Sequence, residues 1–207
     1  MKPHNTEDSE NLTEEALEER DTEYEIDPIF PARWSPRSMK PVELDEEDFM
    51  PLFEAARWAP SSYNNQSWRF IYAKRGTEEW EEFLDLLSDF NRSWAEKGSV
   101  LVVVASKTTF DHNGEESRTH SFDTGAAWEN LALEGARREL VVHGMQGFDY
   151  EEAREKLGVP EEFEIEAMVA IGKRAPREEL NEEMKEREQV SGRKPLDETV
   201  SEGSFKF

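Results

Sequence analysis

The sequence predicts an α+β fold built around a mixed β-sheet. Three strand-like runs are separated by helical segments, and the intervals between them are long and unequal. A regular alternation of strands and helices would instead indicate a parallel βαβ series. The 207 residues are enough for one domain with its own core, without metal or disulfide crosslinks. We therefore expect a single α+β sandwich.

The predicted strands are apolar runs that are rich in β-branched or aromatic residues. They cover 68–73, 100–105 and 164–172. The middle run is continuously apolar, which is typical of a strand buried on both faces.

The predicted helices show apolar residues at helical spacing. In the first, Asp45 is a candidate N-cap, and Phe49, Leu52, Phe53 and Ala56 make one apolar face. Pro51 predicts either a kink in this helix or a start at the proline itself. Further helices are expected at 78–87, 122–142, 150–157 and 178–188.

The first 27 residues are acidic and contain few aliphatic side chains. Such a composition buries too little apolar surface to offset the entropy of ordering. We expect residues 1–27 to form a disordered or loosely attached arm, and residues 28–207 to form the single domain.

The charge balance is strongly acidic, with a formal net charge of -23. Nucleic acids and anionic lipids are also polyanions, so neither is an expected partner. An aromatic content of 11% favours a folded protein over an acidic disordered chain. Acidic residues are spread along the whole chain, and we interpret this as adaptation to high salt, where charges are strongly screened.

The sequence contains no cysteine. Thiolate nucleophiles and cysteine-ligated zinc or iron–sulfur centres are thereby excluded, so redox chemistry would need a bound organic cofactor. No apolar run approaches the ~20 residues that cross a bilayer, and the first residues lack the apolar core of a signal peptide. We expect a cytoplasmic protein without a membrane partner.

The common catalytic and metal-binding motifs are absent from the sequence. The four histidines have no metal-ligand spacing, and although His112 and His120 share a polar loop with Asp111, we expect no metal. No GxSxG, GxGxxG or Walker A motif occurs, which argues against a hydrolase elbow and the standard nucleotide-binding loops.

Three other features point to a ligand. In an extended chain Arg33, Ser35 and Arg37 would face one side and suit a phosphate, although two surface arginines pairing with acids would look the same. The 59–68 loop has five small polar side chains between apolar elements, which suits the edge of a heterocycle or a polar loop capping the sheet. Two glycines in the 143–149 segment permit close backbone approach, or form a helix C-cap and turn.

Together these features resemble the nitroreductase family of FMN-dependent oxidoreductases. The patterns R-x-S-x-R, A-P-S-S-x-N-x-Q-x-W and G-F-D occur in the family's order and roughly its spacing, over about residues 29–200. Asn91 after Phe90 and the ending Arg193-Lys194-Pro195-Leu196 also match. The resemblance implies a three-layer α/β/α sandwich with a mixed, mainly antiparallel sheet, assembled as an intertwined homodimer with FMN at the interface.

The resemblance also assigns roles to residues. Arg33 and Ser35 would bind the FMN phosphate with Arg193 and Lys194, and Arg37 would stabilise negative charge at flavin N1. The partner subunit would supply a loop containing Pro60, Ser61 and Ser62. Ring contacts would come from Asn64, Gln66, Asn91, Gln146 and Gly147.

Three departures from the family pattern affect these expectations. Ser67 stands where the family usually has proline, and Glu139 stands where glycine is frequent. The 108–120 loop is short, which suggests an open or differently covered pocket.

The resemblance implies an FMN-dependent oxidoreductase that takes hydride from NAD(P)H. Hydride would pass to a nitroaromatic, quinone or related acceptor in a ping-pong mechanism. Three alternatives remain open: an FMN storage or sensor protein, a flavin-dependent dehydrogenase or dehalogenase that does not use nicotinamide, and an acidic scaffold without a cofactor. The sequence does not distinguish NADH from NADPH.

Overall fold

The computed structural model describes residues 12–207. Its helices are α1 (Leu12–Glu19), α2 (Ile29–Ala32), α3 (Glu46–Arg57), α4 (Glu79–Asp85), α5 (Asp89–Ala95), α6 (His120–Arg137), α7 (Tyr150–Leu157) and α8 (Glu182–Arg187). Its strands are β1 (Trp68–Lys74), β2 (Val100–Lys107), β3 (Leu140–Met145) and β4 (Phe163–Lys173). Of the predicted arm, residues 1–11 lie outside the described part.

The four strands form one sheet in the order β1-β2-β4-β3, and each pair is antiparallel. Two separate hydrophobic clusters cover its faces. One contains residues of α4, α5 and α7, and the other contains residues of α3 and α6. This confirms the predicted α+β sandwich with a mainly antiparallel sheet.

Strand β2 lies at the centre of this arrangement. All of its residues except the last are buried, and they divide between the two clusters: Leu101 and Val103 face one, Val102 and Val104 the other. A strand covered on both faces needs apolar side chains at every position, which explains its continuous apolar run.

Helix α3 covers part of one face of the sheet. It begins at Glu46 after Asp45, so Pro51 lies inside the helix and does not start it. Phe49, Leu52 and Ala56 are buried on the predicted face, which packs against the sheet and α6.

The helix predicted over 122–142 is wrong at its C-terminal end, where the structure has a turn and a strand. Helix α6 ends at Arg137, and Glu139 adopts the left-handed conformation with φ 56°. Leu140 then begins β3, an edge strand paired with β4. A left-handed residue commonly terminates a helix, and glycine is the usual residue there. With glutamate at this place, the sequence contained no signal that the helix stops.

Part of the predicted N-terminal arm is helical. Residues 12–19 form α1, and its Leu12 and Ala16 are buried against Trp34. The Trp34 indole nitrogen donates to the Leu12 carbonyl at 3.2 Å. One apolar contact and one hydrogen bond thus attach α1 to the segment that contains the predicted phosphate-binding residues.

Arg174 joins α1 to the residue that follows α8 through two ion pairs. Arg174, just after β4, donates to Glu188 at 2.6 Å, and both side chains are almost fully buried. Arg174 also contacts Glu15 of α1 at 3.1 Å. Within residues 12–207, no helix combines the length and apolar composition needed to cross a membrane.

Candidate functional site

A cleft of about 600 Å³ lies between α6 and the β3–β4 side of the sheet. Small-molecule sites typically have volumes of ~300–1,000 Å³. Its apolar wall comes from Val104, Met145, Ala167 and Val169, and Trp128 of α6 lies opposite. The cleft runs along α6 from Ser121 to Glu129, which is ~12 Å at 1.5 Å per residue.

One end of the cleft is cationic. Arg33 and Ser35 both line it, and the Arg33 guanidinium donates to the Ser35 hydroxyl at 3.3 Å. Glu129 lies 3.6 Å from the Arg33 Nε, and the Arg33 side chain is only 15% exposed. A shielded guanidinium beside a hydroxyl is suited to an anionic group such as a phosphate.

Arg20 supports this end from behind. Its guanidinium donates to the Arg33 carbonyl at 2.8 Å, to the Pro31 carbonyl at 2.7 Å and to the Ser191 carbonyl at 2.9 Å. Burial lowers the pKa of Arg20, and the positive charges of Arg193 and Arg33 lower it further. Three guanidinium groups therefore lie within electrostatic range in a chain of net charge -23. Sequence reasoning missed Arg20 because it lies in the supposed arm.

Helix α6 contributes Thr124 and Gly125 to the middle of the cleft. A Cβ placed on Gly125 would have no atom within 4 Å, so α6 leaves open space there. The Thr124 hydroxyl is buried and has no hydrogen-bond partner among the described residues. Thr124 and Gly125 both line the cleft, so this turn of α6 forms part of its wall.

The turn after β3 supplies backbone groups to the same wall. Gln146 lines the cleft, and the Gly147 carbonyl accepts hydrogen bonds from the Asn91 side chain at 2.9 Å and the Ser88 backbone at 3.1 Å. A Cβ on Gly147 would lie 2.7 Å from the Asn91 amide nitrogen. A larger residue here would therefore displace the Asn91 side chain from its hydrogen bond. Asn91 therefore positions the turn and does not itself line the cleft.

The other end of the cleft is acidic. Glu166 and Ser121 line it, and the Ser121 hydroxyl donates to Glu166 Oε1 at 2.6 Å. Ser106 also donates to Oε1, and His120 lies 3.6 Å from it. Burial, followed by the negative charge of Glu166, raises the pKa of Tyr150.

His120, Glu164 and Glu166 are a group whose possible metal-ligand atoms lie within 4.8 Å of one another. His120 Nδ1 is 2.7 Å from the Ser106 hydroxyl, and its Nε2 is 3.6 Å from Glu164. The described side chains therefore account for this cluster as a hydrogen-bonded network.

Comparisons with known proteins agree with this architecture. A sequence model of the nitroreductase family matches residues 31–173. The chain belongs to the nitroreductase family.

Among solved structures, an oxidoreductase containing FMN is 42% identical, with a TM-score of 0.87 over 90% of this chain and 96% of the other. A nitroreductase from Desulfovibrio desulfuricans in complex with FMN is 22% identical, with a TM-score of 0.66 over 88% of this chain and all of the other, and it shows the fold alone. An uncharacterised 15.4 kDa protein from Mycolicibacterium smegmatis is 34% identical over 114 residues, which are 50% of this chain and 74% of that protein.

Several residues assigned from the family pattern lie outside the cleft of this nitroreductase-family chain. Arg37 packs over the Trp94 ring at 5.9 Å and donates to the Arg187 carbonyl at 3.1 Å. Arg193 and Lys194 line a second cleft together with Arg20. Arg33, Ser35 and Gln146 are thus the predicted residues that the described chain brings together.

The predicted partner loop also lies outside this cleft. Its backbone is unusual, since Tyr63, Asn64 and Gln66 all have φ near 50°. The Ser62 N–H donates to Asp123 of α6 at 2.9 Å, and the Gln66 N–H donates to the Ser61 hydroxyl at 3.0 Å. Left-handed non-glycine residues cost free energy and cluster at functional sites, and these bonds fix the loop with its amide groups exposed or half-exposed.

Proposed function

We propose that this nitroreductase-family protein is an FMN-dependent oxidoreductase that uses NAD(P)H as hydride donor. The main support is the convergence on one cleft of Arg33 and Ser35 with Gln146, which is more than 100 residues away in sequence. The 42% identical structure contains FMN, which further supports the cofactor.

The residues of the cleft fit FMN in charge and shape. Arg33 and Ser35 would bind the phosphate, and the open space over Gly125 would admit the planar ring. The backbone beside Gln146 would meet the polar ring edge. When bound, FMN would supply the hydride acceptor and donor, first toward NAD(P)H and then toward a nitroaromatic, quinone or related acceptor.

The chain's contribution is to bind, orient and exclude water. Asn91 fixes the Gly147 backbone, so the turn beside the ring would be preorganised. The apolar wall of Val104 and Val169 would keep water from one ring face. Both substrates would occupy the same cleft in turn, which gives ping-pong kinetics.

We also propose that the protein is a homodimer. The loop containing Pro60, Ser61, Ser62, Asn64 and Gln66 does not line the cleft of its own chain, so its polar groups would serve the FMN of the partner subunit. Arg37, Arg193 and Lys194 remain proposed FMN contacts, with the last two beside the Arg20–Arg33 end. A cytoplasmic location also remains a proposal.

A spectroscopic titration tests cofactor binding. FMN added to the purified protein should give a bound flavin spectrum near 450 nm, with one FMN per chain. Arg33→Ala should weaken FMN binding by tenfold or more, since a charge-assisted contact contributes about 1.5–3 kcal/mol. Arg137→Ala removes an exposed guanidinium on α6 and is the matched control. A colourless protein, or equal affinities for both variants, would contradict the proposal.

Steady-state kinetics test the reaction. NADH or NADPH oxidation with menadione or a nitroaromatic should give parallel double-reciprocal lines. Bound FMN that neither nucleotide reduces would favour an FMN-storing protein or an enzyme with another donor. Light scattering of the FMN-loaded protein should give twice the chain mass, whereas a monomer with full FMN affinity would contradict the role of the 60–66 loop.

A further inference from the structure

A glutamate on β4 faces the cleft at the end opposite Arg33. Its position follows from a β-bulge. In the β2–β4 register, Val104 is paired with Ala167 and Ala105 with Ile165, so Glu166 is the extra residue without a partner. Bulges redirect side chains and are frequent beside active sites.

The bulge decides which side chain enters the cleft. Ala167 and Val169 line the cleft, and regular alternation would place residue 165 there next. Instead Ile165 packs in the opposite cluster, and Glu166 joins Ala167 on the cleft side. A regular strand would have put isoleucine in the cleft and a carboxylate in the core, because a one-residue shift exchanges the two faces.

The Glu166 carboxylate is fixed in this position by its neighbours. Ser106 and Ser121 both donate to Oε1, and His120 also approaches Oε1. No contact of the described residues is directed at Oε2. The side chain is 25% exposed, so a carboxylate with one committed oxygen remains accessible from the cleft.

We propose that Glu166 selects the electron acceptor by its charge and hydrogen-bonding capacity. The inference rests on the proposed function, and it specifies the acceptor class: aromatic compounds with a cationic group or a neutral hydrogen-bond donor are favoured, and carboxylates or sulfonates are disfavoured. Arg33 attracts anions at one end of the cleft, and Glu166 repels them at the other. The phosphate of the cofactor and the acceptor are thereby directed to separate ends.

Three nitroaromatics of similar size test the proposal: 4-nitrobenzylamine, 4-nitrobenzyl alcohol and 4-nitrobenzoate. Their dissociation constants for the FMN-loaded protein are measured by calorimetry, and kcat/KM for each is measured with NAD(P)H. We use low, constant ionic strength, where screening is weak. The dissociation constant of the amine should be at least about tenfold lower than that of the benzoate, a difference of ~1.4 kcal/mol.

Glu166→Gln removes the charge but keeps an oxygen for both serine hydroxyls. In protein saturated with FMN, it should bring the amine and benzoate affinities to within about threefold. Glu164→Gln removes the same charge two residues away and outside the cleft lining, and should retain the wild-type ratio.

Equal affinities for the three compounds in FMN-loaded wild-type protein would overturn this inference alone. An unchanged ratio of amine to benzoate affinity in Glu166→Gln would also overturn it. So would an equal reduction of that ratio in Glu166→Gln and Glu164→Gln. A protein that takes up no FMN would overturn the proposed function, and this inference with it.

Discussion

Replacing Glu188 with alanine should destabilise the protein by about 4 kcal/mol. Glu188 Oε1 accepts from Arg174 at 2.6 Å and from the Ser38 N–H at 3.0 Å, and its Oε2 accepts from the Arg37 N–H at 2.8 Å. The substitution would leave the buried Arg174 guanidinium with the Ser38 hydroxyl and the half-exposed Glu15 as its side-chain hydrogen-bond partners, and would leave two backbone donors unpaired. Breaking a buried ion pair on one side typically costs about 3–5 kcal/mol.

Urea unfolding followed by tryptophan fluorescence measures this loss of unfolding free energy, and thermal unfolding measures the matching change in melting temperature. At about 2–4 °C per kcal/mol for a chain of this size, the melting temperature should fall by roughly 8–16 °C. Glu188→Gln, which retains an acceptor oxygen, is the milder variant, and its loss should be smaller. Glu186→Ala removes an exposed charge on α8, two residues before Glu188, and should change stability by less than about 0.5 kcal/mol. An alanine variant at 188 as stable as the one at 186 would refute the reasoning.

Three further predictions concern the pH dependence of stability, the turn after β3 and the salt dependence of the melting temperature. Burial lowers the pKa of His143 to about 4. The unfolded chain therefore takes up this proton first, and stability should fall by roughly 3 kcal/mol between pH 6.5 and 4. His143→Asn, which can still donate to Pro36, should show a smaller fall in urea titrations; equal slopes would contradict the assignment. Gly147→Ala should weaken FMN binding at least about tenfold by displacing Asn91, and an unchanged FMN dissociation constant would contradict the role of the turn after β3. The melting temperature should be higher in 2 M than in 0.1 M KCl, because salt screens the net charge of -23; equal values would reject salt adaptation.

Local patterns predicted the central fold well. β2 and α3 lie where apolar periodicity placed them, because both bury a face that is continuous in sequence. β3 was missed because Leu140–Val142 extend the apolar run of α6, and the chain reversal occurs at a glutamate. α1 was missed because its apolar face consists of little more than Leu12 and Ala16, and its packing partner Trp34 is distant in sequence.

The candidate site was predictable only where motifs mark it. Arg33 and Ser35 belong to a recognisable pattern, and Gln146 precedes a turn glycine. Thr124 and Gly125 lie within an ordinary helical stretch, and only the structure shows that they line the cleft. The direction of Glu166 depends on the pairing of β4 with β2, and no pattern within β4 reveals where that register shifts.

The contact of Arg174 with Glu15 and Glu188 affects how the protein could be shortened. The family match ends at residue 173, so this arginine and both carboxylates lie in the flanking segments. In a chain without cysteine, the contact is a noncovalent crosslink between segments more than 150 residues apart. A fragment trimmed to the family match would lose α1, Arg20 and the Ser191 region together. Proteolytic cleavage between α1 and α2 would therefore be expected to loosen the cationic end of the cleft even though no cleft residue is removed.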